Sequence, residues 1–243
     1  MINLVFDVDD TLYNQLTPFY IAYNKVFSSI KDVSIEDLYI ISRKYSDEVF
    51  HLTESGEMPI EKMHIYRIIK AFEELENPIS EKDAQNFQDE YIYQQSQITL
   101  IPEMERVLNF AKEKNINIGI ITNGPSSHQR MKLKQLNIEN WADKSNIFIS
   151  SEVGSSKPDI NIFRLAENVM NLDRENTYYI GDSYKNDVVG AKKAGWKSIW
   201  INHRGHRIED LIYKPDYVIL EYKDLLSLII KVCSKKSVNN RII

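Results

Sequence analysis

Ile2-Asn3-Leu4-Val5-Phe6-Asp7-Val8-Asp9-Asp10-Thr11 is the stretch on which the reading of the fold turns. The apolar run Ile2 to Phe6 is short and rich in strand formers, so it reads as a buried parallel strand that stops where the acids begin. Asp7 and Asp9 are then placed at the carboxyl end of a strand, the end at which open α/β sheets bind ligands. Two carboxylates two residues apart on extended chain point the same way, and burial disfavours both. A divalent cation favours them, because hard oxygen ligands suit magnesium. The alternative for such a pair is a solvated acidic turn that caps the next segment.

Three further apolar runs end in chemistry-bearing residues. Ile116 to Ile121 leads into Thr122-Asn123-Gly124, and Ile147 to Ser150 leads towards Lys157-Pro158-Asp159. Thr177 to Ile180 leads into Gly181-Asp182-Ser183-Tyr184-Lys185-Asn186-Asp187. With these four motifs in order, the chain resembles the haloacid dehalogenase superfamily of hydrolases, from Ile2 to about Tyr222. The stretch Gly190 to Gly195 and the later Ile201-Asn202 resemble the same family's continuation.

The resemblance implies a chemistry. A phosphate monoester resists hydrolysis because its anionic oxygens repel a nucleophile, so a catalyst supplies cations, an activated attacking group and a proton for the leaving oxygen. Asp7 is the expected nucleophile, forming an aspartyl-phosphate. Asp9 is the expected general acid and then base, kept protonated by crowding from Asp7. Lys157 is expected to neutralise nucleophile and phosphate. Thr122, Asn123 and Gly124 are expected to hold phosphate oxygens ahead of a helix marked by Met131, Leu133 and Leu136. Mg2+ is the expected cofactor, held by Asp7, Asp182 and the main-chain carbonyl of Asp9, with Asp187 supporting the site from behind. The run Ile160, Phe163, Ala166, Val169, Met170 reads as a helix with Pro158 in its first turn, which places Lys157 at a helix N-terminus.

The resulting fold class is α/β: a Rossmann-like three-layer parallel sheet core with an inserted α-helical cap domain. Residues 1–14 and 98–232 are assigned to the core, 15–97 to the cap and 233–243 to a polar C-terminal tail, a frayed end or arm. The resemblance implies a strand order with the Asp7 strand between the Thr122 and Gly181 strands. Long helical patterns such as Phe19, Tyr20, Tyr23, Val26, Phe27 and Ile65, Ile68, Ile69, Phe72 mark the cap, a lid expected to close over the site. Its aromatics, Tyr66, Tyr91 and Tyr93 included, read chiefly as core with some chance of stacking on a substrate. The glycine-containing segment His51 to Met58 and Arg67 are candidate substrate contacts.

Composition narrows the function classes. The chain has 243 residues, 43% of them hydrophobic, enough for a full core and a smaller module. A net charge of -5 argues against binding of nucleic acid polymers, whose backbone requires a basic surface, whereas a small phosphorylated metabolite requires only a local positive site. The single cysteine, Cys233, excludes an internal disulfide framework and a zinc cluster and suits a reducing compartment. None of the five histidines has metal-ligand spacing. With a strand starting at Ile2 and no long apolar span, no signal peptide and no membrane association are expected, and the protein is expected to be cytoplasmic, as a monomer or homodimer.

The leading expectation is a Mg2+-dependent phosphatase for a small phosphate monoester. A nucleoside monophosphate is the first candidate, because the Asp7-Val8-Asp9-Asp10-Thr11-Leu12-Tyr13 start and helical cap resemble the branch containing pyrimidine 5'-nucleotidases. A dehalogenase is disfavoured because the family's dehalogenases lack the second Asp, here Asp9. A phosphomutase of this family usually carries Gly where this chain has Asp10. A non-catalytic binding protein retaining the fold is the alternative outside enzymes, and it would typically have lost Asp7, Asp9 or Lys157.

Overall fold

The computed structural model describes residues 2–207 and 212–239. The chain divides into two compact units, Met1–Asn14 with Thr99–Ile243, and Gln15–Ile98.

The larger unit contains β1 (Asn3–Phe6), and the smaller holds α1 (Leu16–Val26), α2 (Ile35–Glu54), α3 (Ile60–Glu74) and α4 (Glu81–Gln95). The larger then continues with α5 (Pro102–Glu113), β2 (Asn117–Thr122), α6 (Ser126–Gln135), β3 (Ile147–Ile149), α7 (Ser150–Val153) and α8 (Ile160–Met170). It ends with β4 (Thr177–Gly181), α9 (Val189–Lys193), β5 (Lys197–Ile201), β6 (Tyr217–Ile219) and α10 (Leu225–Asn239).

The sheet is six-stranded and parallel, in the order β3-β2-β1-β4-β5-β6. The strand carrying Asp7 therefore lies between those that end at Thr122 and Gly181, as expected. β1 is buried over its whole length, which is why it reads as a continuous apolar run and not as an alternating one. Val5, Ile121, Phe148 and Tyr179 share a core cluster with Ile162, Phe163 and Ala166 of α8 and with Trp196. That packing sets the strand ends in register. Val5 pairs with Gly119 on one side and Tyr179 on the other, so Asp7 emerges between the Thr122 and Asp182 segments.

The smaller unit has its own aromatic core, Phe19, Tyr23, Phe27, Tyr39, Phe72, Phe87 and Tyr91 among others. Ser34 and Ser80 cap α2 and α4, accepting from the amides of Asp37 and Asp83 at 3.2 and 3.1 Å. Phe19, Tyr23 and Tyr91 are thus core residues, whereas Tyr20 and Tyr93 are exposed.

Several expectations need correction. Arg67 is buried, donates to Gln88 Oε1 at 3.2 Å and lies over the Tyr91 ring, so it serves the helical core. The segment from His51 is not a loop throughout: α2 runs to Glu54, because the polar residues preceding Gly56 continue its helix, and the turn begins at Ser55. Pro158 is outside its helix, since Asp159 is the N-cap of α8 and accepts from the Asn161 amide at 3.0 Å. Two residues, Pro158 and Asp159, consequently separate Lys157 from Ile160, the first residue of α8. The tail is helical as far as Asn239, in the helix α10 that Leu225, Ile229 and Val232 anchor in the core. Residues 240–243, including Arg241, lie outside the described residues. No helix among the described residues is long and apolar enough to cross a membrane.

Candidate active site

The site is built where three strands end. The Asp7 amide donates to the carbonyl of Ile180 at 2.9 Å, extending the β1–β4 ladder by one residue past the strand. The chain then turns, with the amides of Thr11 and Leu12 both donating to the Val8 carbonyl and Asp10 in the left-handed region at φ 55°. Aspartate tolerates that region better than most residues. Asp7 is 6% exposed.

Lys157 is 4% exposed and donates three bonds: to Asp7 Oδ1 at 2.6 Å, to Asp187 Oδ1 at 2.8 Å and to the Tyr179 hydroxyl at 2.8 Å. All three ammonium protons are thereby used. Tyr179 passes its own proton to the Ile121 carbonyl at 2.8 Å, tying the lysine to β2 as well as β4. The Asn123 carboxamide fixes the lysine backbone in both directions, donating to its carbonyl and accepting from its amide, each at 2.9 Å. The Gly124 amide donates to Ser150 Oγ at 2.9 Å. Thr122, 1% exposed, closes β2 beside Asp7.

Asp7, Asp182 and Asp187 each offer a carboxylate oxygen within 4.8 Å of the others. Asp187 thus belongs to the acidic trio itself, where the sequence suggested a supporting position. Its Oδ2 accepts from the Ser183 amide at 2.9 Å. A Cβ at position 181 would overlap this carboxylate, so glycine there lets Asp187 approach. The Trp200 indole donates to the Asp182 carbonyl at 2.7 Å and steadies that residue from β5.

Three carboxylates face one ammonium, an excess of negative charge that burial makes costly. Burial, helped by repulsion from Asp187 and Asp9 and opposed by Lys157, pushes Asp7 up to about 7. Burial, with Asp187, Asp10 and Asp7 adding repulsion, holds Asp182 well above the usual carboxylate range. Burial alone would lower Lys157, but Asp187 and Asp7 together raise it well above its ordinary value. A set of hard oxygen donors with this surplus of charge fits a divalent cation.

Asp9 is the opposite case. Lys132 Nζ donates to its Oδ1 at 2.6 Å, the Tyr13 hydroxyl donates to the same oxygen, and Gln129 Nε2 donates to Oδ2 at 3.0 Å. Burial would raise Asp9, but the charge and bond from Lys132, with Tyr13 and Gln129, hold it well below the usual range. The expectation that crowding keeps Asp9 protonated is corrected: the repulsion falls on Asp7, because Asp9 has a cation of its own. The helix carrying Lys132 and Gln129 was legible from Leu133 and Leu136, but neither polar residue was identified. Tyr179 carried a usable signal, since a tyrosine in a fully buried strand requires a partner for its hydroxyl.

A model of the haloacid dehalogenase-like hydrolases matches residues 4–201. The chain belongs to this family. Among its relatives, the phosphoserine phosphatase of Thermus thermophilus is 30% identical over 142 residues, 58% of this chain and 56% of that protein. Pyrimidine 5'-nucleotidase YjjG of Escherichia coli is 34% identical over 134 residues, 55% of this chain and 58% of that one. The chain thus spans a little over half the length of these relatives. Pyrimidine 5'-nucleotidase PynA of Streptococcus pneumoniae aligns over 92% of both chains at 25% identity. The fold of the family is shared with YfnB of Bacillus subtilis bound to magnesium, at a TM-score of 0.71 and 22% identity, covering 94% of this chain and 98% of that chain. It is also shared with L-2-haloacid dehalogenase of Xanthobacter autotrophicus, at a TM-score of 0.72 and 16% identity, covering 95% and 99%.

Proposed function

We propose that this haloacid dehalogenase-like hydrolase is a Mg2+-dependent phosphatase that hydrolyses a small phosphate monoester through an aspartyl-phosphate on Asp7. The observation that carries this reading is the arrangement around Asp7: one buried lysine and two further carboxylates converge on it at the end of β1. Phosphatases and nucleotidases among the relatives support the reaction class, and two pyrimidine 5'-nucleotidases support a nucleoside monophosphate as the leading candidate substrate.

Asp7, Asp182 and the carbonyl of Asp9 would hold the cation, with Asp187 beside them. A bound Mg2+ would supply the positive charge that lowers the Asp7 pKa and neutralises phosphate oxygens. Lys157 presents Asp7 and contributes further positive charge to the incoming phosphoryl group. Thr122 and the Asn123-Gly124 turn border the place where its oxygens would sit. A carboxylate oxygen of Asp7 attacks phosphorus, the bond from phosphorus to the leaving oxygen breaks, and Asp9 transfers a proton to that oxygen. Lys132, Tyr13 and Gln129 favour the carboxylate form of Asp9, so the proton it hands on is taken up from solvent as the anionic substrate arrives beside it. Asp9 then removes a proton from water, the water oxygen attacks phosphorus, and orthophosphate leaves with Asp7 regenerated.

Phosphate release from a panel of phosphorylated metabolites, nucleotides included, with Mg2+ and with chelator, tests the reading. Release that chelator and Asp9→Asn each abolish is the expected result. Measurable Mg2+ binding with no release from any member contradicts it.

A further inference from the structure

Lys132 is an unexpected residue for its place. It sits on α6, a surface element of an acidic chain, yet it is 2% exposed. Burying an ammonium is costly unless its charge is answered, and an apolar residue of the same length would fill the position at less cost. The charge is answered by Asp9, at 2.6 Å. Two neighbours complete the arrangement: Tyr13 donates to the same carboxylate oxygen, and Gln129 joins the other oxygen to the Asn123 carbonyl, at 3.0 and 2.9 Å. The ammonium also lies over the Tyr13 ring, 5.8 Å from its centre.

We infer that Lys132, with Gln129 and Tyr13, is a positioning residue that holds the Asp9 carboxyl in one rotamer, apart from the Asp7, Asp182 and Asp187 trio and available to the leaving-group oxygen. The trio's donor atoms lie together without a side-chain oxygen of Asp9 among them. An Asp9 carboxylate that lost its partners would be free to turn towards any nearby cation and would no longer be held for proton transfer. Gln129 links this arrangement to the turn after β2, the turn that also fixes Lys157. One side-chain network thereby sets the relative placement of proton donor and phosphate-facing lysine. The inference rests on the phosphatase reading above.

The test compares two substrates on Lys132→Met, Gln129→Leu and Asp9→Asn. One substrate is an alkyl phosphate, whose leaving oxygen requires a proton; the other is 4-nitrophenyl phosphate, whose leaving group departs as a stable anion. Because Asp9 also activates water in the second step, which the two esters share, the comparison reads the first-turnover release of the leaving group. Lys132→Met is expected to lower that rate by about 10²-fold on the alkyl phosphate and by less than about fivefold on the nitrophenyl ester, with Mg2+ affinity within about twofold of wild type. Asp9→Asn is expected to show the same split at larger amplitude, and Gln129→Leu at smaller. Equal losses of the first-turnover rate on both substrates, or no loss on either, overturn the positioning role. If Lys132→Met fails to fold, Gln129→Leu and Tyr13→Phe, which leave the charge in place, carry the same comparison. Wild type that releases phosphate from neither substrate overturns the phosphatase reading itself, an outcome distinct from a wild type that is active and variants that show no split.

Discussion

Asn123 and Lys157 are joined as a reciprocal pair: the carboxamide of one donates to and accepts from the backbone of the other, each bond at 2.9 Å. The lysine that touches Asp7 is therefore aimed from its main chain as well as from its ammonium. Asn123→Ala removes both bonds while leaving every charge in place. It is expected to lower kcat by about 10- to 10²-fold and to leave Mg2+ affinity nearly unchanged. Steady-state kinetics with calorimetric Mg2+ titration checks this, and unaltered kcat would show that the pair does not aim the lysine.

Gly181 admits the Asp187 carboxylate into space that a methyl group would fill. Gly181→Ala is expected to displace Asp187 from Lys157 and from the trio, destabilising the protein by about 1–3 kcal/mol and weakening Mg2+ binding by about tenfold or more. Denaturant unfolding with and without Mg2+ separates the two effects. Preserved ion affinity would place Asp187 outside the cation's reach.

The trio's repulsion predicts how the metal-free protein responds to pH. Asp7 ionises at about 7 when folded, against 3.8 as its ordinary value, so the folded state holds this proton more tightly than the unfolded chain. The stability this contributes is present below about pH 4 and is lost as pH rises towards 7, when ionised Asp7 is destabilising. In chelator, wild type is expected to lose on the order of a few kcal/mol over that range from this group, and Asp7→Asn is expected to have the shallower profile. Equal slopes for the two proteins contradict the assignment.

Asp10 is 3% exposed and paired with Arg204, whose Nη2 donates to Oδ1 at 2.7 Å and to Asn14 Oδ1 at 3.3 Å. Tyr222 donates to the Asp10 carbonyl at 2.7 Å. Arg204→Met strands a buried carboxylate in the turn that follows Asp7, with an expected cost of about 3–5 kcal/mol. Adding Asp10→Asn is expected to recover part of that loss, because the stranded charge is then gone. Thermal unfolding of the two single variants and the double variant closes the cycle; additive losses would mean that the two side chains do not interact.

The sheet and the acids at its edge were legible because they obey local rules. Apolar runs of strand length ended in Asp7, Thr122 and Asp182, and the structure sets those three ends side by side through the order β2-β1-β4. The partners of those acids were not legible for a physical reason. Lys132 and Gln129 lie in a mostly polar helix, Ser126–Gln135, and no residue type announces that a lysine is buried. Arg204 and Trp200 reach Asp10 and Asp182 from far along the chain, so only the packed sheet reveals them. Arg67 differs in the reverse direction: it reads as a candidate substrate contact, but Gln88 and the Tyr91 ring receive it in the core. The protonation order of Asp7 and Asp9 turned on the same unseen lysine.

The most direct test of the account is to quench the enzyme in acid during turnover with Mg2+ and its best substrate, and to determine by mass spectrometry which peptide carries a phosphoryl group. The account predicts one phosphoryl group on the peptide containing Asp7, absent in chelator and absent in Asp7→Asn. Full Mg2+-dependent turnover by Asp7→Asn, or a phosphoryl group borne by another residue, would contradict it.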